Sequence, residues 1–344
     1  MIEVVDFREE YRKSWQKYVS DSPDSILSHL IEWKDIIEKG LGHSTEYSLA
    51  LRDSQVAGVF PLARVKTWWG KKYLVSLPWI DYCGILADDS EVEKALMDHA
   101  IERAKSIGAE FVELRTETPG SLDLAHRTDK VTFLLKLDND PEVIWKDVFN
   151  GKLRNQIRKS DKSGLTTDYG SLDSLDDFYA VFSYNMRDLG TPVWSKDHFK
   201  QILTLLPDNS KFILVKMNEK VIAAGLLLWY RGRYYVPSAS SYREHIKLCP
   251  NHALYWRVIE DACREGGEYF DFGRSSKDSN TYRFKKQWMP DPVQLTWQYY
   301  LNRANEVPMI NPSNPKYAKM IALWQKLPLW AANYLGPKVM RNFP

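Results

Sequence analysis

Cysteine is scarce in this chain: Cys83, Cys249 and Cys263 are the only three, and they form no paired motif. That excludes a disulfide framework and a zinc site of paired-cysteine type, and it fits a chain made in a reducing compartment. The seven histidines show no ligand spacing either. Long hydrophobic runs are missing; the longest, Val221 to Tyr230, falls well short of the ~20 residues that span a bilayer. The start carries Glu3, Asp6, Arg8, Glu9 and Glu10 and no apolar core of a signal peptide. The expectation is a cytoplasmic protein with no transmembrane segment. A net charge of +2 excludes a strongly basic, histone-like protein.

Acid is absent locally. From Pro308 to the end there is none, against Lys316, Lys319, Lys326, Lys338 and Arg341. A second basic run, Lys152, Arg154, Arg158, Lys159 and Lys162, is offset only by Asp161. Such clusters suit a phosphate-bearing partner or an anionic membrane surface, and equally a solvated face. What is abundant is aromatic: 13% of residues, with 13 Trp. These side chains serve cores and binding surfaces alike. Hydrophobic residues at 44% and charged residues at 27% are globular proportions, and 344 residues suit two domains.

The strongest internal signal is a repeat. At an offset of 158, Ala95–Leu96 match Ala253–Leu254, Ile101–Glu102 match Ile259–Glu260, and Ala104 matches Ala262. Gly108 then matches Gly266, Glu110 matches Glu268, Phe111 matches Tyr269, and Glu113 matches Asp271. Each copy has helical period followed by a glycine in the C-cap place and an aromatic-aliphatic strand. Ser90 with Glu93 predicts a capping box at the first helix, and Asn251 after Pro250 predicts an N-cap at the second. Strands are expected upstream at Tyr47 to Leu51, Val56 to Arg64 and Tyr73 to Leu77, and again at Lys211 to Met217, Val221 to Tyr230 and Tyr234 to Ser238. Asp53–Ser54 and Asn218–Glu219 are the turns between the first two of each set. The fold class is therefore α/β (α+β): two tandem domains, each a mixed central sheet with covering helices. The expected divisions are 1–137, then 138–305 with a basic connector at 150–165, then a helical tail at 306–344. In the tail, Tyr317, Met320, Ile321, Trp324 and Leu327 share one helical face. Such a basic amphipathic helix lies on an anionic membrane through 316–341 or docks on the second domain.

Chemistry concentrates in Phe270 to Trp288, FDFGRSSKDSNTYRFKKQW. A strand ends at Asp271–Phe272–Gly273, and a polar turn with Arg274, Ser275 and Ser276 follows. Next come Tyr282, Arg283, Lys285 and Lys286. From Arg274 to Lys286 five bases stand against one acid, Asp278. Hydroxyls and cations at a strand end suit a phosphate or carboxylate, or keep a sheet edge in solution.

The run Pro250 to Trp288, with PNHALYW, EDACREGGEYFDFGRSS and YRFKKQW, resembles the second domain of FemAB-type acyltransferases. LRNQIRKSDKSGL, Leu153 to Leu165, resembles that family's basic connector. The tandem repeat is similar to the family's two GNAT-type domains in series. The tail from Trp324 resembles a subgroup found with exosortase and exopolysaccharide systems. The resemblance spans nearly the whole chain, without the coiled-coil insertion of the peptidoglycan-bridge enzymes.

It implies transfer of an aminoacyl or other acyl group to an amine of a cell-envelope or exopolysaccharide precursor. The donor is a co-substrate, aminoacyl-tRNA, and no cofactor is called for. No Ser-His-Asp or Cys-His constellation is legible, so direct attack by the amine is the simpler mechanism. In LPWIDYCGILADD, Leu77 to Asp89, the resemblance places a carboxylate near the amine at Asp88, four residues after Gly84. Asp81 and Tyr82 are alternatives, and Cys83 stands where many relatives have glycine. Asp88–Asp89–Ser90 is also what a helix N-terminus wants. Lys285 matches the family's FK motif and would hold a phosphate or stabilise developing negative charge. Arg154, Arg158 and Lys159 would suit the phosphates of a nucleotide-linked acceptor or the 3′ end of a tRNA. Ser238, Ser240, Asn251 and Tyr255 join Arg274, Ser275, Ser276, Tyr282, Arg283 and Lys286 as candidate substrate-binding residues. Neither helix start carries the glycine-rich turn that cradles a pyrophosphate, which weighs against acyl-CoA as donor. Two alternatives remain: an N-acyltransferase fed by acyl-CoA or acyl-carrier protein, and a non-catalytic binding module that keeps the fold.

Overall fold

The computed structural model describes residues 1–117, 121–308 and 315–343, the last stretch with side chains from 318. The chain divides into two units: Met1–Asp129 with Gln294–Asn311 and Pro337–Pro344, and Lys130–Val293 with Pro312–Gly336.

Unit 1 begins with β1 (Ile2–Asp6) and α1 (Arg12–Asp21), whose buried Trp15 and Val19 are one turn apart. A short helix α2 (Glu32–Ile36) leads to β2 (Ser44–Thr45), β3 (Ser48–Arg52) and β4 (Gln55–Phe60). The β3–β4 turn sits at Asp53–Ser54, both left-handed at φ 50 and 66, as a two-residue type I′ hairpin requires. The single strand expected at Val56 to Arg64 is two. Pro61 has no N–H for a ladder, so β4 ends and β5 (Ala63–Lys66) enters another sheet. Then come β6 (Lys72–Val75), β7 (Leu86–Ala87), α3 (Ser90–Ile107), β8 (Phe111–Thr116) and β9 (Ala125–Arg127). One sheet has the order β1-β3-β4-β7. Helix α3 buries Val92, Leu96, Ala100 and Ala104 in a core with Ala57, Phe60, Leu74 and Val112.

Unit 2 opens with β10 (Lys130–Lys136), the one-turn α4 (Pro141–Val143), α5 (Gly151–Lys162) and β11 (Thr166–Gly170). Two helices follow, α6 (Leu175–Asp188) and α7 (Lys196–Leu205), then β12 (Ser210–Met217), β13 (Lys220–Tyr230) and β14 (Arg233–Ser241). Asn218–Glu219 makes another two-residue turn, at φ 49 and 64. Helix α8 (Pro250–Arg264), β15 (Tyr269–Asp271), β16 (Ser275–Ser276), α9 (Asn280–Lys286) and β17 (Asp291–Gln294) complete the sheet region. The sheet order is β11-β12-β13-β14-β15-β10-β16. The chain ends in β18 (Thr296–Leu301), α10 (Pro315–Gln325) and α11 (Leu329–Met340). The second sheet of unit 1 is β2-β5-β6-β8-β18-β9.

The repeat is visible as topology. In unit 1, β6 and β8 are parallel across α3, with Leu74 opposite Val112. In unit 2, β14 and β15 are parallel across α8, with Tyr234 opposite Phe270. Gly108 and Gly266 after the two helices are both left-handed, at φ 66 and 76.

Several expectations are corrected. β10 lies before the expected boundary at 137/138, yet pairs antiparallel with β15 of unit 2. β18 lies after nearly all of unit 2, yet pairs with β8 of unit 1. The residues at 337–344 cluster with unit 1 as well. At the helix starts, Asp89 caps α3 by accepting from the N–H groups of Glu91 and Val92, so Ser90 is inside the helix. Glu93 instead accepts from Ser121. Helix α8 is entered from Cys249 at φ 60, with Pro250 first, so Asn251 is not its cap. The packed side of α10 is Ile321 and Trp324, continued just past its end by Leu327, all half-buried, while Met320 is exposed. Ile321 lies against Gly190 at the end of α6, and Gln325 donates to the carbonyl of Asp188. The expected face also included Tyr317 and the flanking Lys316, whose side chains lie outside the described residues.

Candidate functional site

In unit 2 the chemistry-bearing segment is a tight return rather than an open loop. Asp271, fully buried, ends β15. Its Oδ2 accepts from Arg233 Nη2 at 2.7 Å and Nε at 3.1 Å. Its Oδ1 accepts from Thr132 Oγ1 at 2.7 Å and Gly273 N at 2.8 Å. Gly273, at φ 72, turns the chain so that Ser275–Ser276 pair with Lys130–Val131 of β10. Ser279 caps α9, and α9 lays Lys285 back on the turn. The ammonium of Lys285 donates to the carbonyls of Gly273 at 2.8 Å and Arg274 at 2.9 Å. An ammonium has three donors, and two are spent here on backbone. Lys285 is thus a positioning residue for the turn, not the open cation expected from its sequence.

Around this turn, Arg274 is half-buried, while Arg283 and Lys286 are exposed on α9. Tyr282 sets its ring edge-on to Phe133 at 5.0 Å. Ser276 accepts from Lys130. Ser275 Oγ, Asn251 Oδ1 and Trp288 Nε1 are buried without a hydrogen-bond partner among the described residues. Tyr255 is core, stacked on Phe272 at 5.5 Å, and burial pushes its hydroxyl well above the usual range. Ser240 is buried and accepts from Asn185 at 3.1 Å; Ser238, half-buried, is two residues before it on β14.

Sequence reasoning missed His252, Gln287 and Trp288. His252 stacks on Trp288 at 5.8 Å, and burial pushes its pKa down to about 4. Gln287 Nε2 lies 3.2 Å from His252 Nε2, so the amide donates to the ring and the ring proton sits on Nδ1. The signal was there: His252 stands in PNHALYW itself, but a lone histidine has no legible partner.

The basic connector resolves into two kinds of cation. Arg154 Nη1 donates to the carbonyls of Trp145 at 3.1 Å and Lys146 at 3.0 Å. Arg158 lies over the Trp145 ring at 5.3 Å. Both tie α5 to the preceding turn. Lys152, Lys159 and Lys162 are exposed.

In unit 1 the segment 77–84 is strained: Leu77 and Trp79 adopt φ 51 and 77. Bulky residues do so only where the surroundings over-determine the backbone. Arg115, 1% exposed, is what holds it, with Nη1 donating to the carbonyl of Ile80 at 3.0 Å. The same guanidinium pairs with Glu113 Oε1 at 2.7 Å and lies over the Trp297 ring at 4.4 Å. Cys83 N donates to the carbonyl of Arg115 at 2.7 Å, and Ser28 Oγ donates to that of Tyr82 at 3.0 Å. Neither Cys83 nor Gly84 needs a left-handed backbone, so cysteine fits this place without distortion. Burial pushes the Cys83 thiol up to about 12, which makes it inert as a nucleophile. Asp81 and Tyr82 are buried at 7% and 8% exposure. Asp88, further along, is exposed and accepts from Tyr18 OH at 2.9 Å. Burial first, then Asp88, raises the Tyr18 hydroxyl well above its usual range. Asp88 and the capping Asp89 therefore have separate tasks.

Among the described residues, no three or more His, Cys, Asp or Glu side chains gather as metal ligands. All three cysteines are free and buried. No helix among those residues is long and apolar enough to cross a membrane.

Residues 149–286 match the family model of the acetyltransferase (GNAT) domain. Among solved structures, FemX is similar over 88% of this chain and 98% of its own, with 16% identity and a TM-score of 0.68. The C-terminal domain of a putative lysylphosphatidylglycerol synthetase from Agrobacterium fabrum is similar over 84% of this chain and 91% of its own, at 12% identity and TM-score 0.58. L-PGS from Bacillus licheniformis is similar over 86% and 95%, at 12% identity and TM-score 0.52. No curated protein matches the chain by sequence. The fold is a FemX-like tandem GNAT architecture. The class it defines is that of a GNAT-domain acyltransferase.

Proposed function

We propose that the chain transfers an aminoacyl group from aminoacyl-tRNA to an amine of a cell-envelope or exopolysaccharide precursor. The observation that carries the choice of donor is the state of the two helix starts. Acyl-CoA enzymes of this fold bind pyrophosphate on free N–H groups there. At α3, Asp89 fills that place, and its carboxylate takes the N–H groups of Glu91 and Val92. At α8, the first residue is Pro250, which has no N–H. Neither start offers an anion a cradle. In the proposed step the amine nitrogen attacks the ester carbonyl, the ester C–O bond breaks, and the tRNA hydroxyl leaves. The amine's proton passes to a carboxylate and from it to the departing tRNA oxygen; Asp88 is the exposed candidate for that carboxylate and Asp81 the buried alternative. Exposed Lys152, Lys159, Arg283 and Lys286 supply charge for a phosphate-bearing acceptor or a tRNA end.

The resemblances to FemX and to lysylphosphatidylglycerol synthetases support an aminoacyl donor. The link to exosortase and exopolysaccharide systems rests on the tail sequence. The outer side of the tail exposes Met320, Leu323, Trp330 and Tyr334 beside Lys319 and Lys326, which favours peripheral attachment at the inner membrane face. The family model's acetyltransferase description keeps acyl-CoA as the second reading. Radiolabelled aminoacyl-tRNA and acyl-CoA, offered side by side with envelope amines, decide between them. Consumption of aminoacyl-tRNA is expected, reduced at least tenfold in Asp88→Asn. Turnover of acyl-CoA alone overturns the proposed donor.

A further inference from the structure

Unit 1 contains a cavity of about 440 Å³ whose lining includes Arg64, Lys66, Lys72, Arg341, His43 and Ser44. Strands β5 and β6 pair Lys66 with Lys72 and Arg64 with Leu74, so Arg64, Lys66 and Lys72 lie on one face of the sheet. Arg341 arrives from the C-terminal segment and donates to the carbonyl of Gly42. Gly42 is left-handed at φ 71, and a Cβ there would stand 3.1 Å from Arg341 Cζ, so glycine lets the guanidinium lie against the backbone. Lys72 Nζ donates to the carbonyl of Ile107 at 2.7 Å, and Arg64 Nε to Ser44 Oγ at 2.9 Å. Glu46 stands 3.3 Å from Arg64 Nε but is shared with Arg103 at 2.7 Å, and no carboxylate is among the described residues that line the cavity. His43 is 4% exposed, and its Nε2 has no hydrogen-bond partner among the described residues. Four cations around one concavity repel each other unless an anion sits between them.

The same strands carry a second feature. The segment 64–72 reads RVKTWWGKK, with no acid. Its tip is a turn closed by Thr67 N on the carbonyl of Lys71 and by Gly70 N on that of Thr67. Trp68 and Trp69 stand on it, 69% and 60% exposed. Trp68 N donates to Asn342 Oδ1 at 2.7 Å, one residue from Arg341. The aromatic tip and the cationic cavity are thus one construction. Adjacent exposed tryptophans between lysines are the composition of a membrane-interface anchor, with an apolar body for the headgroup boundary and positive charge for anionic lipid.

We propose that this corner of unit 1 docks on an anionic phospholipid surface, with Trp68 and Trp69 in the interfacial layer and a headgroup phosphate in the cavity. Apart from Arg341 and Asn342 at the end of the tail, it uses residues separate from the exposed tail face and from the acyl-transfer segments, so it stands or falls independently of the proposed reaction.

Flotation of the full chain with phosphatidylcholine vesicles, with and without phosphatidylglycerol, tests it. Flotation is expected only with phosphatidylglycerol, and is expected to fade as salt rises. The double variant Trp68→Ser, Trp69→Ser is expected to lose it while melting at the same temperature. Lys66→Glu is expected to weaken partitioning roughly five- to thirtyfold, since each basic residue near such a surface contributes about fivefold. Flotation that is unchanged in the double variant, or equal on neutral vesicles, overturns the proposal. So does glycerol phosphate binding at the cavity without flotation, which would make the site one for a soluble phosphate.

Discussion

Glu113 and Asp271 occupy the same place in the two units, 158 residues apart, and each is a buried carboxylate held by an arginine. The partners differ. In unit 1, Arg115 lies two residues further along the same strand, and β8 runs straight on through Thr116 beside β18. Tyr299 OH closes the far side of Glu113 at 2.8 Å. In unit 2, Arg233 comes from the neighbouring β14, and Gly273 follows where unit 1 has Arg115. With no side chain there, the chain turns back at once onto β10. One copy uses its arginine to brace a strained segment that carries Asp81. The other uses a glycine for a return that presents Arg274 and α9. The same buried charge serves as a strut in one copy and as the root of a hairpin in the other.

The largest expected effect separates the two pairs. Arg115→Ala strands Glu113 in a site with almost no water and is expected to cost about 3 to 5 kcal/mol in urea unfolding. Arg233→Ala leaves Asp271 its Thr132 and Gly273 donors, so about 2 to 3 kcal/mol is expected. Equal costs would break the comparison. Acid is the next lever. His29 in unit 1 is fully enclosed, and burial pushes its pKa down to about 4; His43 is also pushed to about 4, by burial and then by Arg341. In unit 2, burial does the same to His252. Each folded pKa lies below the unfolded value near 6.5, so the unfolded chain binds the proton first. Stability is therefore full above about pH 6.5 and falls as the pH drops toward 4, by about 3 kcal/mol for His29 alone. In His29→Gln the fall between about pH 6.5 and 4 is expected to shrink by the share of His29, leaving the part due to His43 and His252; a slope equal to that of the parent would rule His29 out as a source.

Smaller effects test the turn and the cap. Lys285→Met is expected to cost about 1.5 to 3 kcal/mol, because it removes a charged donor from two carbonyls. It should lower kcat more than it raises KM, whereas Lys286→Ala should leave stability within about 0.5 kcal/mol. A pure KM effect in Lys285→Met would restore direct anion binding to that lysine. Asp89→Ala is expected to cost about 1 kcal/mol, and Ser90→Ala close to nothing.

The repeat can be read from the sequence because helix period, glycine cap and strand are local patterns. The partners of β10 and β18 cannot. Pairing across more than a hundred residues leaves no local trace. For the same reason FDFGRSS reads as a loop: its β16 pairs with residues far upstream. Lys285 reads as a free cation because carbonyls carry no letter in a sequence. Asp88 and Asp89 are adjacent and chemically alike, so only the geometry tells the cap from the carboxylate that meets Tyr18.

The placement of β18 has a consequence for how the protein is made. Unit 1 emerges first from the ribosome, but its six-stranded sheet waits for Thr296–Leu301. From Asp129 to Leu301 is 301 − 129 = 172 residues, roughly 9 to 34 s of synthesis at the usual rates. Throughout that time Phe111–Thr116, which becomes an interior strand, is a bare edge open to pairing with any extended peptide nearby. The half that is translated first is finished last, and a nascent chain stalled before residue 296 is the form that chaperones would be expected to hold.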